Sequence, residues 1–184
     1  MIGDSPTLAM NARAQEMRRQ GIDIISFTVG EPDFDTPAHI GEAGIRAIKE
    51  GFTRYTAAAG IPELRQAVAK KMKRDHGLDY EMNQIIISTG AKQALANALL
   101  VLADEGDEVI IPAPYWVSYS ELVKLAGATP VIVDTREEDG FKLTPAQLEE
   151  NITERTAALI LNSPNNPTGS VYSREELAGL VEVL

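Results

Sequence analysis

Cysteine is absent from the 184 residues, and histidine occurs only as His39 and His76. No disulfide, zinc–thiolate site or cysteine nucleophile is available in this sequence. The two histidines are far apart and lack the spacing of a metal-ligand pair. Aromatic residues are scarce, at 5%, with a single tryptophan, Trp116. Basic residues are outnumbered: 17 Lys and Arg against 27 Asp and Glu leave a net charge of −10. That sign repels a phosphate backbone or an anionic lipid surface, which argues against a nucleic-acid or membrane-surface binder. No apolar run approaches the ~18 residues of a membrane span. The start, Met1-Ile2-Gly3-Asp4-Ser5-Pro6, has neither the basic region nor the apolar core of a secretory signal. The expectation is a cytoplasmic protein with no nucleic-acid and no membrane partner.

What is present is ordinary globular material. Hydrophobic residues make up 44% and charged residues 24%, enough for a packed core. The pattern alternates helical and extended segments without repeats, which reads as an α/β fold. An amphipathic stretch runs from Leu8 to Arg19 and stops at Gly21. An extended piece from Ile24 to Val29 leads into the turn Gly30-Glu31-Pro32-Asp33. Thr36 and Pro37 predict a helix start, as N-cap and first helical residue. Pro62 predicts another start, with Gly77 as the stop. Ile85-Ile86-Ile87, Glu108 to Ile111, Val131 to Val133 and Ala157 to Leu161 read as buried strands, separated by helical segments. This favours a mostly parallel sheet with helices on both faces. Thr144 with Gln147, and Ser173 with Glu176, match capping boxes. The last helix carries no stop signal, and its pattern predicts continuation past Leu184.

Several segments admit both a chemical and a purely structural reading. Ser88-Thr89-Gly90-Ala91-Lys92 lies between a strand and a helix. Helix starts present free N–H groups and a positive dipole end, suited to a phosphate. The loop matches neither a Walker pattern nor a dinucleotide fingerprint, so an ordinary turn is the other reading. Pro114-Tyr115-Trp116 follows a strand, where ligands of open α/β sheets bind; the indole either stacks on a planar ring or packs in the core. The loop Asn162 to Gly169 is either a run of Asn-stabilised turns or a place where Asn166 aims an amide at a ligand. Gly30, Tyr55 and Gly60 carry the same ambiguity. Lys70, Lys71, Lys73 and Arg74 read as a solvated helix face, Glu137 to Gly140 as a surface turn, and the histidines as surface residues.

Taken in order, five stretches resemble the class I/II aminotransferases, enzymes of the fold type I pyridoxal-phosphate class, and most closely their bacterial aspartate aminotransferase branch. They are Gly30 to Phe34, Tyr55-Thr56 with Ala59 to Arg65, Gly90 to Leu95, Pro114 to Tyr119, and Asn162 to Gly169. The resemblance implies pyridoxal 5′-phosphate as cofactor. Its phosphate would be held by the backbone around Gly90, Ala91 and Lys92, and its ring would lie against Trp116. The Asn166 amide would bond the ring oxygen, and Tyr55 would reach the phosphate of a neighbouring subunit. The Gly30 N–H would help hold the substrate α-carboxylate. Lys92, with Ser5 and Thr7, would face the distal carboxylate of an acidic substrate. The implied activity is transamination between an L-amino acid, aspartate or glutamate, and a 2-oxo acid, by a homodimer serving amino-acid biosynthesis. The implied domains are residues 1–35, contributing to a small domain, and residues 36–184, the first part of the cofactor-binding large domain.

The family's imine-forming lysine and the arginine that grips the α-carboxylate belong to positions later than Leu184. The resemblance therefore implies an N-terminal portion, incomplete at the C-terminus and inactive alone, with unpaired strand edges and exposed apolar surface. Other fold type I activities, such as aromatic or alanine transamination or a β-lyase, and a non-catalytic fragment are the alternatives.

Overall fold

The structure is a computed structural model and describes residues 6–28 and 30–184. Ser5 and Val29, named above, lie outside the described residues. The chain divides into two compact units, one of Thr7–Thr89 and one containing Gly90–Leu184.

In the first unit, α1 spans Pro6–Arg19, α2 Ala38–Lys49 and α3 Pro62–His76. The α2 start differs by one residue from the expectation. Pro37 itself takes the cap position and makes no side-chain cap bond. Its carbonyl accepts from Ile40 and Gly41 N–H, the ordinary first bonds of a helix, so α2 starts without the side-chain cap expected of Thr36. Pro62 opens α3 as expected, and Gly77 closes it in the left-handed region at φ 70°. His39, His76 and the basic residues Lys70, Lys71, Lys73 and Arg74 are exposed.

Ile85-Ile86-Ile87 is the main correction. The segment is extended at Ile85 but pairs in no ladder among the described residues, and Ile86 is 70% exposed. A strand needs a neighbour to bond, and hydrophobicity alone does not supply one. The segment is held instead by α3 and the turn before it. Arg65 donates from Nε to Ile85 O at 2.8 Å and from Nη2 to Met82 O at 2.6 Å. Ile87 N–H donates to Ala59 O at 3.0 Å. Gly60 sits at φ 94°, and a Cβ there would lie 2.6 Å from Ile87 Cγ1. The stretch Ala59 to Arg65 is thus a structural clamp: a glycine for close approach, a proline for the helix start, and an arginine fork.

The second unit is a parallel three-stranded sheet, ordered β2-β1-β3. Its strands are β1 (Glu108–Ala113), β2 (Thr129–Asp134) and β3 (Thr156–Leu159). Helices α4 (Gly90–Leu102), α5 (Ser118–Leu125), α6 (Pro145–Asn151) and α7 (Arg174–Val183) complete it.

 The β1 strand continues two residues beyond its expected end at Ile111, through Pro112 to Ala113. Its ladder with β3 covers only Glu108 to Ile110, opposite Thr156 to Leu159, so Pro112 lies past that pairing.

Strand β1 has Val109, Ile110 and Ile111 all fully buried. Successive side chains point to opposite faces, and the packing follows that alternation. Val109 and Ile111 pack with Leu99 and Ala103 of the α4 side and with Tyr119 and Val123 of α5. Ile110 packs on the other face with Val133, Leu143, Leu148 of α6, Tyr172 and Leu180 of α7. Helices therefore cover both faces, as the sequence predicts. Both capping boxes form: Thr144 accepts from Gln147 N–H, and Ser173 accepts from Glu176 N–H. Glu137–Asp139 is a short 3₁₀ turn on the surface.

Two substitutions test this packing, each read by thermal or denaturant unfolding of the whole protein. Gly60→Ala places a methyl against Ile87 and is expected to cost about 1–3 kcal/mol from overpacking. Leu143 N–H donates to Tyr172 Oη at 2.6 Å, within the core. Tyr172→Phe strands that amide and is expected to cost about 1–3 kcal/mol.

Candidate functional site

The β1 and β3 strands run parallel, so the loops that follow them leave the same edge of the sheet. The loop after β1 carries Pro114, Tyr115 and Trp116. The loop after β3 runs through Asn162 to Gly169. Helix α4 precedes β1 and is joined to the same edge through its first turn, where Lys92 meets Trp116.

The start of α4 is unusual in its charge. Its first turn contains no acidic residue and does contain Lys92. A cation at the positive end of a helix dipole is unfavourable unless an anion lies nearby. Gly90 has φ 80° with open space where a Cβ would stand. Only glycine takes that backbone conformation cheaply. Helix α4 is thirteen residues long, and its first N–H groups lack intrahelical acceptors. Gly90, Ala91 and Lys92 are all exposed. This donor set suits an anionic group.

Trp116 is half-buried and is held from two directions. Lys92 Nζ lies 4.9 Å from the centre of its ring system, a cation–π arrangement. Tyr119 meets it edge-on, with centroids 5.5 Å apart and planes at 89°. Burial pushes the Tyr119 phenol up from its ordinary value, so it stays protonated at neutral pH. The indole is therefore partly packed and partly open.

Asn166 is exposed, and its backbone N–H donates to Asn162 Oδ1 at 2.9 Å. Asn165 N–H donates to Ser170 O at 2.9 Å, and Gly169 N–H donates to Asn165 O at 2.8 Å. The loop is thus a set of Asn-stabilised turns with one amide left facing outward. The base of the loop is fixed by Tyr172, whose N–H donates to Ser163 Oγ at 3.1 Å. A small crevice opens between the two loops, lined by Pro114, Tyr115, Tyr119, Asn162 and Asn165.

The second unit therefore brings Lys92 and Trp116 together and sets Trp116 and Asn166 on loops at one sheet edge. Gly30 and Tyr55 belong to the first unit, and both are exposed, Tyr55 completely. Thr7 lies in α1. Sequence reasoning did not single out Tyr119, Asn162 or Asn165 individually. Tyr119 stands three residues after Trp116, a spacing that brings side chains together on a helical turn. The two asparagines lay inside a loop recognised only as a whole.

The family described as Aminotransferase class I and II matches residues 22–184. The aspartate aminotransferase of Geobacillus stearothermophilus is 54% identical over 179 residues, covering 97% of this chain and 46% of that protein. A probable aspartate/prephenate aminotransferase of Thermus aquaticus is also 54% identical, covering 97% of this chain and 47% of its own length. The aspartate aminotransferase from Thermus thermophilus with maleate superposes with a TM-score of 0.94 at 50% identity, covering 99% of this chain and 48% of that one. The crystal structure of the Rhizobium meliloti aspartate aminotransferase gives a TM-score of 0.93 at 48% identity, covering 99% of this chain and 46% of that one. The chain spans about half the length of the relatives it matches. The fold is that of the fold type I enzymes, and the family works with pyridoxal 5′-phosphate, an anion on a flat ring. By sequence and by fold, the chain belongs to the class I and II aminotransferases.

Proposed function

We propose that the whole protein carrying this chain transfers an amino group between aspartate or glutamate and a 2-oxo acid, with pyridoxal 5′-phosphate as cofactor. The observation that carries the reading is the meeting of Lys92 and Trp116 at 4.9 Å, which joins an anion-suited helix start to a flat aromatic surface. Bound there, pyridoxal phosphate supplies an electron sink that makes the α-proton of an amino acid removable.

The residues of this chain bind and orient. The α4 start at Gly90, Ala91 and Lys92 holds the phosphate through N–H groups and the helix dipole. Trp116 provides a face for the ring, stiffened by Tyr119. The Asn166 amide donates to the ring oxygen, which favours its anionic form. The Gly30 N–H helps hold the substrate α-carboxylate. Tyr55 serves a second subunit of a homodimer, a role its full exposure allows. The Lys92 ammonium turns from the indole to the distal carboxylate of a dicarboxylic substrate. Support for a dicarboxylate comes from the relatives named for aspartate and from the one described with maleate. The lysine and arginine the reaction further requires are assigned to the remainder of the protein. Residues 1–35 are assigned to its small domain and residues 36–184 to its large domain. Among the described residues no helix is long and apolar enough to cross a membrane, and a cytoplasmic location is part of the same reading.

Two measurements on the whole protein test it. Borohydride is expected to abolish the visible absorbance of the bound cofactor and to fix it covalently to a lysine; absence of that absorbance sinks the reading. Amino-donor and acceptor profiling should rank aspartate and glutamate first, with oxaloacetate, 2-oxoglutarate and prephenate compared as acceptors. Lys92→Ala is expected to raise KM for aspartate at least tenfold while changing that for alanine little, as loss of one charge-assisted bond predicts. Equal effects on both donors would remove Lys92 from substrate recognition.

A further inference from the structure

The loop after β1 and the loop after β3 are distant in sequence, yet one side chain joins them. Asn165 Nδ2 donates to Pro114 O at 3.1 Å, across 51 positions of sequence, and to Thr168 Oγ1 at 2.8 Å within its own loop. Thr168 Oγ1 also accepts from Ser170 N–H at 3.2 Å. With the backbone bonds to Ser170 and Gly169 already described, the N–H, carbonyl and side-chain amide of Asn165 all have partners. Its neighbour Asn166 is the residue that faces outward. Turn formation accounts for the backbone bonds and the bond to Thr168. It does not account for the bond to Pro114, which is two residues before Trp116.

We infer that Asn165 is a positioning residue that fixes the spacing between the indole of Trp116 and the amide of Asn166. The inference rests on the cofactor reading above, in which those two groups address the face and the edge of one ring. A ring bound between them tolerates little change in their separation, because both contacts are short-range. Without the tie, each loop keeps its own turns, and only the packing of Tyr115, Trp116 and Ile160 on the shared core is left to set their separation. The amide is suited to this task because one nitrogen carries two donors aimed in different directions. An aspartate has the same size and supports the same turn, but it offers no donor and sets a negative charge against the Pro114 carbonyl.

The test uses the whole protein labelled with 5-fluorotryptophan, with the Trp116 resonance assigned by its loss in Trp116→Phe. Asn165→Ala and Asn165→Asp are expected to shift or broaden the Trp116 resonance. They are also expected to weaken pyridoxal 5′-phosphate binding about tenfold, the scale of one lost hydrogen bond. Thr168→Val removes the acceptor inside the loop but leaves the bond to Pro114, and should leave the resonance in place. An unchanged resonance in both Asn165 variants overturns the inference. So does an equal shift in Thr168→Val, which would assign the effect to the turn alone. If the parent protein binds no pyridoxal phosphate, the cofactor reading fails, and the resonance still decides whether Asn165 couples the loops. If Asn165→Ala unfolds, Asn165→Asp carries the comparison.

Discussion

Strand β1 is apolar on both faces, and this constraint organises the second unit. Val109 and Ile111 require cover on one side and Ile110 on the other. Burial of a side chain of this size is worth about 1.5–3 kcal/mol, so neither face can be left to water. Helices α4 and α5 satisfy one requirement, and α6 and α7 the other. A strand buried on both faces and flanked by parallel neighbours has crossover connections, which place its following loop beside that of β3. The location of the candidate site is thus a by-product of how the core is closed.

The site itself shows a division of labour between packed and open groups. Tyr119 is buried against Trp116, and the hydrogen bonds of Asn165 are made within the protein. Lys92, Asn166, Gly90 and Ala91 face outward. Orienting residues sit behind presenting residues, and the former are the less exposed. This is the arrangement expected where a small planar ligand must be met by groups already in position, so that binding does not bear the cost of ordering them.

Much of this was legible in the sequence because it depends on local rules. The capping boxes at Thr144 and Ser173 and the stop at Gly77 need only a few neighbouring residues. Alternating buried strands and amphipathic helices gave the parallel α/β architecture. The failures came where a partner decides the outcome. Ile85-Ile86-Ile87 has the composition of a strand, but pairing requires a neighbour, and Arg65 and Ala59 take its backbone bonds instead. Pro37 rather than Thr36 holds the N-cap position of α2, a shift of one residue that leaves the helix start without a side-chain cap. In the site, Gly90 and Trp116 were visible as residue types at a strand–helix junction. Their joining through Lys92, and the tie from Asn165 to Pro114, are tertiary contacts that no local pattern encodes.

The opposite end of β1 is anchored differently. Glu108 is buried, and its carboxylate accepts from Arg155 Nη2 at 2.5 Å and Thr153 Oγ1 at 2.7 Å, while its N–H donates to Arg155 O at 2.8 Å. Root and mouth of the strand are separated by roughly 17 Å, at ~3.3 Å per residue. Groups that far apart, sharing no partner, contribute to stability independently. Substitutions in the loops that follow β1 and β3 therefore leave the ionic footing of the sheet intact, and they can be varied without loosening the strand at its base.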